Sequence, residues 1–154
     1  MSENLRMLFR VVLLAATMAV LFASATLSAD MKALRKRAEA GDARAQFDIG
    51  SMYERGLGVR QDYGEAARWY RRAAEQGDVD AQRILGVAYY MWEHVPRDLV
   101  QSYFWFSLAA SRLSGGEYRQ AAEARARIEK ELTPEQLKRA QAMERDREKS
   151  RPRR

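Results

Sequence analysis

The sequence repeats itself at a fixed spacing of 36 residues, and this period constrains the fold more than any other feature of the chain. The residues that recur, with no insertion between the copies, are Ala45-Gln46 as Ala81-Gln82, Gly50 as Gly86, Tyr53 as Tyr89, Asp62 as Asp98, Trp69 as Trp105, and Ala73-Ala74 as Ala109-Ala110. A period between about 20 and 50 residues is typical of solenoids, in which a unit buries its apolar face only against its neighbours. The period therefore predicts a stack of repeated units.

The first half of each copy has the pattern of an amphipathic helix. Ala45, Ile49 and Tyr53 are four residues apart, which places them on one helical face. Gly41-Asp42 precedes this stripe: the glycine can close one helix in the left-handed conformation, and the aspartate can cap the next. Gly50 lies inside the helix at a cost of about 1 kcal/mol relative to alanine, so we expect another helix to approach closely there.

The second half of each copy predicts another helix. Asp62 is followed three residues later by Glu65, and Asp98 by Gln101, which is the spacing of a capping box. Trp69 then recurs 36 residues later with the same two alanines after it. A tryptophan beside small residues is typical of tightly stacked helices.

These residues resemble a known family. The pattern Ala45-Gln46-x-x-Ile49-Gly50-x-x-Tyr53-x-x-Gly56-x-Gly58-Val59-x-x-Asp62, followed by Ala66-x-x-Trp69-Tyr70-x-x-Ala73-Ala74-x-Gln76-Gly77, is similar to the Sel-one-like repeat, a tetratricopeptide-like helical repeat. The second copy keeps this pattern but has Trp92 and His94 in place of the two turn glycines. The resemblance implies an all-α fold, a short right-handed α-α superhelix, and a role in protein–protein interaction.

The predicted organisation has four parts. Residues 1–29 form a signal peptide or an N-terminal anchor, and residues 30–112 form the repeats, with a half repeat at 32–42 and full repeats at about 42–77 and 78–112. Residues 113–149 form two closing helices that resemble the C-terminal ends of short exported family members, and residues 150–154 form a basic tail. The closing helices are predicted at Tyr118 to Glu131, with Ala121, Ala124 and Ile128 on one face, and after a Thr133-Pro134-Glu135-Gln136 start signal.

The N-terminal segment predicts export. Arg6 and Arg10 precede an uncharged run from Val11 to Ala23, and Ala23-Ser24-Ala25 supplies the small residues that a signal peptidase reads. We therefore expect a periplasmic protein. The alternative is an uncleaved inner-membrane anchor over residues 7–27, in which only Arg10 is charged.

Charge is unevenly placed along the chain. From Asp30 to Ser111 there are twelve basic and twelve acidic residues, whereas from Arg112 to Arg154 there are thirteen basic and eight acidic residues. The basic tail predicts a solvated end, or a weak contact with a membrane surface of anionic lipid. No aromatic residue interleaves with its arginines, so nucleic acid is not an expected partner.

The composition argues against a catalytic or metal site. The chain has no cysteine and one histidine, His94, which leaves no ligand set for structural zinc. The sequence also has no Gly-x-Ser-x-Gly motif, the turn that carries the nucleophile of many serine hydrolases. Family members linked to β-lactam hydrolysis resemble cysteine-rich chains, so that activity does not carry over. We expect no enzyme activity, no cofactor and no metal.

The second copy carries far more large aromatic side chains than the first. We expect Tyr103 and Phe104 beneath the closing helices and Trp105 and Phe106 in the repeat core. Tyr90 and Trp92 fit the core least well, since Trp92 occupies a turn, and His94 lies in the same loop. They are the predicted partner-facing patch, because exposed aromatics are typical binding hot spots.

The sequence thus predicts an exported, non-catalytic repeat adaptor that binds a protein or peptide partner in the bacterial cell envelope. Two alternatives remain at this point: a hydrolase of cell-wall or β-lactam substrates on the same fold, and a membrane-tethered regulatory protein.

Overall fold

The chain folds into consecutive α-helices that stack in pairs. The computed structural model describes residues 30–92 and 94–150; the predicted signal or anchor segment and residues 151–154 of the basic tail lie outside this part. Its helices are α1 (30–39), α2 (Ala43–Arg55), α3 (Tyr63–Glu75), α4 (Val79–Met91), α5 (Leu99–Ala110), α6 (Gly115–Glu131) and α7 (Pro134–Ser150). The described residues contain no strand. This is the predicted all-α solenoid.

The turn before each repeat has the predicted geometry. Gly41 and Gly77 have φ values of 98° and 97°, the left-handed region that an L side chain rarely adopts. Asp42 then accepts a hydrogen bond from the Ala45 amide, and the equivalent aspartate of the second copy does the same at 2.8 Å. The Gly-Asp pair therefore ends one helix and begins the next.

The caps of α3 and α5 differ from the predicted capping box. Asp62 accepts from the Glu65 amide and Asp98 from the Gln101 amide, as expected. Their own backbone amides, however, donate to the carbonyls of Tyr53 and Tyr89, each at 2.9 Å. The reciprocal half of the box is absent because the preceding helix supplies a backbone acceptor instead. This bond fixes the angle at which each helix pair closes.

A glutamine side chain joins each repeat to the unit before it. The Gln46 side-chain amide donates to the Ala38 carbonyl at 3.0 Å, and Gln82 donates to the Ala74 carbonyl at 3.1 Å. Both glutamines are buried, and both carbonyls lie near the end of the previous helix. Since Ala38 and Ala74 occupy equivalent places, the contact of α1 with α2 is the same as that of α3 with α4.

The glycines inside α2 and α4 mark the closest helix contacts. A Cβ built on Gly50 would lie 2.8 Å from the Tyr70 ring, and one on Gly86 would lie 2.6 Å from the Phe106 ring. Tyr70 and Phe106 are themselves one repeat apart. The expected close approach is confirmed in both copies, and its cause is an aromatic ring lying flat over the helix backbone.

The same core is built twice. Trp69 packs with Ala38, Ala45 and Ile49, and Trp105 packs with Ala74, Ala81 and Leu85, the residues 36 positions further on. The interface between units therefore repeats together with the sequence. The stack can be extended by adding units, and its last unit needs a cover.

The closing helices provide that cover. Ala121 and Ile128 of α6 and Ala140 of α7 are buried against α5. Thr133 and Gln136 form a complete capping box at the start of α7, because the backbone amide of each donates to the side-chain oxygen of the other. α6 begins at Gly115, three residues before the predicted start, so the two glycines belong to its first turn.

One aromatic assignment in α5 was wrong and another was incomplete. Tyr103 lies beneath the closing helices and Trp105 in the repeat core, as expected, but Phe104 joins the repeat core, and Phe106 packs both on Gly86 of α4 and in the closing cluster. The reason is helical spacing: Phe106 follows Tyr103 by three residues and therefore shares its face. α5 is buried on all sides, so hydropathy could not distinguish its faces.

Within residues 30–92 and 94–150, no helix is both long enough and apolar enough to cross a membrane.

Candidate functional site

Trp92 and His94, two of the three predicted patch residues, lie around one tyrosine. Trp92 ends α4 and its ring lies 5.2 Å from the ring of Tyr63 and 6.2 Å from that of Tyr70, measured between centroids. The His94 ring is exposed and stacks on Tyr63 at 6.4 Å, with an angle of 28° between the planes. The loop after α4 therefore packs its aromatics onto the preceding repeat, which the glycines of the first copy could not do.

Tyr90, the third predicted residue, is held by the closing helices. Its hydroxyl donates to Glu131 at 2.6 Å, and the Arg97 guanidinium donates to the same carboxylate at 2.6 Å. The guanidinium also lies 5.1 Å from the centre of the Tyr90 ring. The Tyr90 hydrogen bond, followed by Arg97, lowers the pKa of Glu131 below its ordinary value. This group ties the end of α6 to α4 and to the loop before α5.

Two pockets open along the first helices of the repeats. The first pocket, about 300 Å³, lies between α2 and α4 and is lined by Phe47, Ser51, Glu54, Arg55, Tyr70, Arg83, Ile84, Val87 and Trp92. The second pocket, about 180 Å³, lies between α4 and α6 and is lined by Val87, Tyr90, Met91, Phe106, Ala124, Arg127 and Ile128. Val87 lines both. We call the two pockets together the A groove.

The two pockets are related by the repeat. Four lining residues of the first pocket recur in the second after 36 positions, namely Ser51 as Val87, Glu54 as Tyr90, Arg55 as Met91, and Tyr70 as Phe106. The far wall differs, because α6 replaces the helix that a third repeat would supply. The A groove therefore consists of two neighbouring pockets related by the repeat, of which the first is more polar and the second more apolar.

The first, more polar pocket has a partly buried hydrogen bond at its base. The Tyr70 hydroxyl donates to Glu54 at 2.5 Å, and burial, followed by this carboxylate, raises the pKa of Tyr70 well above its ordinary value. Phe106 has no hydroxyl, so the corresponding position of the second pocket is apolar. Met91 at the rim of the second pocket is 66% exposed.

A third and larger cavity, about 760 Å³, opens beside the loop that joins α2 to α3. It is lined by residues 59–63, Tyr53 and His94. In the described part of the chain no three His, Asp or Glu residues lie close enough together to hold a metal ion. His94 makes a ring contact with Tyr63. The described geometry thus offers open surfaces that could hold a partner.

The fold and the A groove together define a class, the tetratricopeptide-like helical repeat proteins. The Sel1 repeat family model matches residues 43–78 and 79–112, so the chain contains two Sel1 repeats. Proteins of this family are generally scaffolds for protein–protein interaction. A search of curated proteins returned no match.

Two solved structures are similar to this chain. One is a protective antigen of uropathogenic Escherichia coli strains that displays an SLR fold, with 38% identity and a TM-score of 0.67 over 76% of this chain and 24% of that one. The other is a Sel1 repeat protein from Oxalobacter formigenes, with 39% identity and a TM-score of 0.55 over 65% of this chain and 28% of that one. This chain thus spans about a quarter of the length of each relative.

Sequence reasoning found part of this surface. Tyr90 and Trp92 line the A groove, and His94 lies next to it through Tyr63. It missed Tyr70 and Phe106, whose place in the groove follows from the glycines that they cover, and it missed Arg127. The repeat alignment contained a signal for Tyr70 and Phe106, because both follow the paired tryptophans by one residue.

Proposed function

We propose that this protein is an exported, non-catalytic adaptor that holds a protein partner in its A groove within the bacterial cell envelope. The observation that carries the proposal is the pair of repeat-related pockets, which are open to solvent and have an exposed methionine at the rim. Apolar pockets that a soluble protein leaves open are typical of binding surfaces. With two repeats, the groove is sized for a single helix or an extended peptide.

The location rests on the N-terminal sequence. A charged start, an uncharged run and small residues at 23–25 are the features of a secreted precursor. Sequencing the N-terminus of the protein recovered from cells tests this directly. A start at Thr26 or Asp30 supports export with cleavage, whereas a start at Met1 or Ser2, in protein that salt does not release from membranes, supports the anchored alternative.

Affinity capture from cross-linked envelope fractions tests the binding role. The informative variant is Ala124→Trp, because Ala124 lines the second pocket and a large ring there would fill it. The matched control is Ala126→Trp, which adds the same ring to an exposed position of the same helix that lines neither pocket. We expect one reproducible partner with the wild type and with the control, and its loss with Ala124→Trp.

Three further results test the proposal against its alternatives. Removal of residues 150–154 is expected to leave capture intact, since the A groove is formed by residues between 47 and 128. A partner that Ala124→Trp retains as well as the wild type does would contradict binding in the A groove. Turnover of a β-lactam or peptidoglycan substrate that disappears on replacement of His94 would favour the hydrolase.

A further inference from the structure

We infer that the second pocket, together with Arg127, selects an acidic partner segment that inserts one large apolar side chain. The inference rests on the proposed function and specifies the chemistry of the partner that the A groove binds.

The size and lining of the second pocket match a single apolar side chain. Its walls include Phe106 and Ile128, which are 5% and 2% exposed and therefore fixed by the core behind them. A cavity of about 150 Å³ with similar lining is large enough to bind benzene, and this pocket measures about 180 Å³. A leucine, isoleucine, methionine or phenylalanine side chain fits that volume.

The rim supplies a cation without a counter-ion. Arg127 is exposed and makes no ion pair with any described residue. The carboxylates one helical turn away on α6 are Glu123 and Glu131, and neither lies within salt-bridge distance of it. Glu131 is instead held by Tyr90 and Arg97. A free guanidinium beside an apolar pocket favours a carboxylate next to the inserted side chain, since its planar fork matches a carboxylate well.

The first pocket of the A groove is also lined by more basic than acidic groups, so it has the same sign of charge as Arg127. The first pocket is lined by two guanidinium groups, Arg55 and Arg83, and by one carboxylate, Glu54, whose oxygen already accepts the Tyr70 hydroxyl. A segment that crosses both pockets therefore meets basic groups along its path. This also argues against the chain's own C-terminal residues 151–154, Arg-Pro-Arg-Arg, as the occupant, because they carry the same charge.

The selective element comes from the closing helix. Ala124, Arg127 and Ile128 belong to α6, which lies outside both repeats. A third repeat would put other residues in this wall, so the specificity of the groove is set where the repeats stop. The repeats contribute the apolar floor of the second pocket, and the closing helix α6 contributes its charged group, Arg127.

Selection from a random dodecapeptide library displayed on phage, against the full-length chain, tests the inference. We expect enrichment of peptides with a large apolar residue that has Asp or Glu within three positions. Selection against Arg127→Glu is expected to exchange those acidic residues for Lys or Arg. The control Arg139→Glu makes the same change of charge at an exposed position of α7 and is expected to enrich the wild-type pattern.

Fluorescence anisotropy of one enriched synthetic peptide gives the magnitude. Arg127→Glu is expected to weaken binding at least about tenfold, which is about 1.4 kcal/mol, and Ala124→Phe to abolish it by filling the pocket. Far-UV circular dichroism of each variant separates loss of the groove from loss of the fold. Arg127 is exposed, so its replacement is expected to leave the helix content unchanged.

Three results would overturn the inference: no enrichment of peptides, enrichment of uncharged or basic sequences, or the same acidic sequences from Arg127→Glu. These results leave the adaptor role open, because that role is decided by capture from envelope fractions and by Ala124→Trp. Conversely, capture that fails while the acidic peptides bind would contradict the envelope partner and support the chemistry of the pocket.

Discussion

Replacing Gly86 by alanine tests the packing that builds the repeats. In an open helix this change stabilises a protein by about 1 kcal/mol, because glycine has the poorer helix propensity. Here the new Cβ would lie 2.6 to 2.8 Å from three ring atoms of Phe106, which is shorter than carbon atoms approach without strain. The ring cannot withdraw easily, since Phe106 is 5% exposed and packed in the closing cluster.

The expected magnitude follows from these opposing effects. Overpacking of a close core contact costs about 1–3 kcal/mol, and contacts with three ring atoms place this site in the upper half of that range. After the gain in propensity is subtracted, Gly86→Ala should destabilise the fold by about 1–2 kcal/mol, which lowers Tm by roughly 4–8 °C for a domain of this size. Gly50→Ala, which meets the Tyr70 ring at 2.8 Å, should behave in the same way.

Thermal and urea unfolding, followed by circular dichroism, measure the effect. The control is Gly116→Ala in α6, where a new Cβ meets nothing within 4 Å and the change should be neutral or stabilising. In the double variant Gly86→Ala with Phe106→Leu, the smaller side chain should recover part of the loss, giving a favourable coupling of at least about 0.5 kcal/mol. A Gly86→Ala protein as stable as the wild type would refute close packing as the reason for this glycine.

The remaining predictions concern the contacts that position the helices. Gln82→Leu removes one of the two donors to the buried Ala74 carbonyl, which keeps the Gly77 amide, and should cost about 0.5–1.5 kcal/mol in urea unfolding, whereas Gln120→Leu, at an exposed position, should cost little. Asp98→Ala removes the acceptor of two backbone amides and should cost about 0.5–2 kcal/mol; an unchanged midpoint would contradict the capping role. Glu131 has a pKa below its ordinary 4.5 in the folded state, so its stabilising contribution is complete above that pH and is lost as the pH falls through the lowered pKa. Glu131→Gln should therefore show a shallower loss of stability below pH 4.5 than the wild type, and identical pH profiles would show that its bonds to Tyr90 and Arg97 contribute nothing.

The fold could be predicted because its determinants are local and appear twice. The Gly-Asp turns, the aspartate caps and the stripe of Ala45, Ile49 and Tyr53 each specify a short segment, and the 36-residue period specifies how the segments stack. The role of Gln46 was not predicted. Its recurrence as Gln82 indicated a shared role, but the sequence did not show that each side chain donates to a carbonyl of the previous helix.

The candidate site was predicted only in part, for a physical reason. Trp92 and Tyr90 stood out because they replace other residue types of the first copy. Arg127 did not stand out, because one exposed arginine in a charged helix is indistinguishable in sequence from the solvated residues around it. Its place beside the second pocket depends on how α6 crosses α4, and that crossing is set by contacts distant in sequence, among them Tyr90 with Glu131.

Site-specific photo-cross-linking tests the central claim, that the A groove holds the partner. A benzophenone amino acid replaces Met91, which is 66% exposed at the rim of the second pocket, or Tyr118, which is 47% exposed on α6 and lines neither pocket. Illumination of living cells is predicted to give one discrete protein adduct from position 91 and none of that mass from position 118. The same adduct from both positions, or none from position 91, would contradict binding in the A groove.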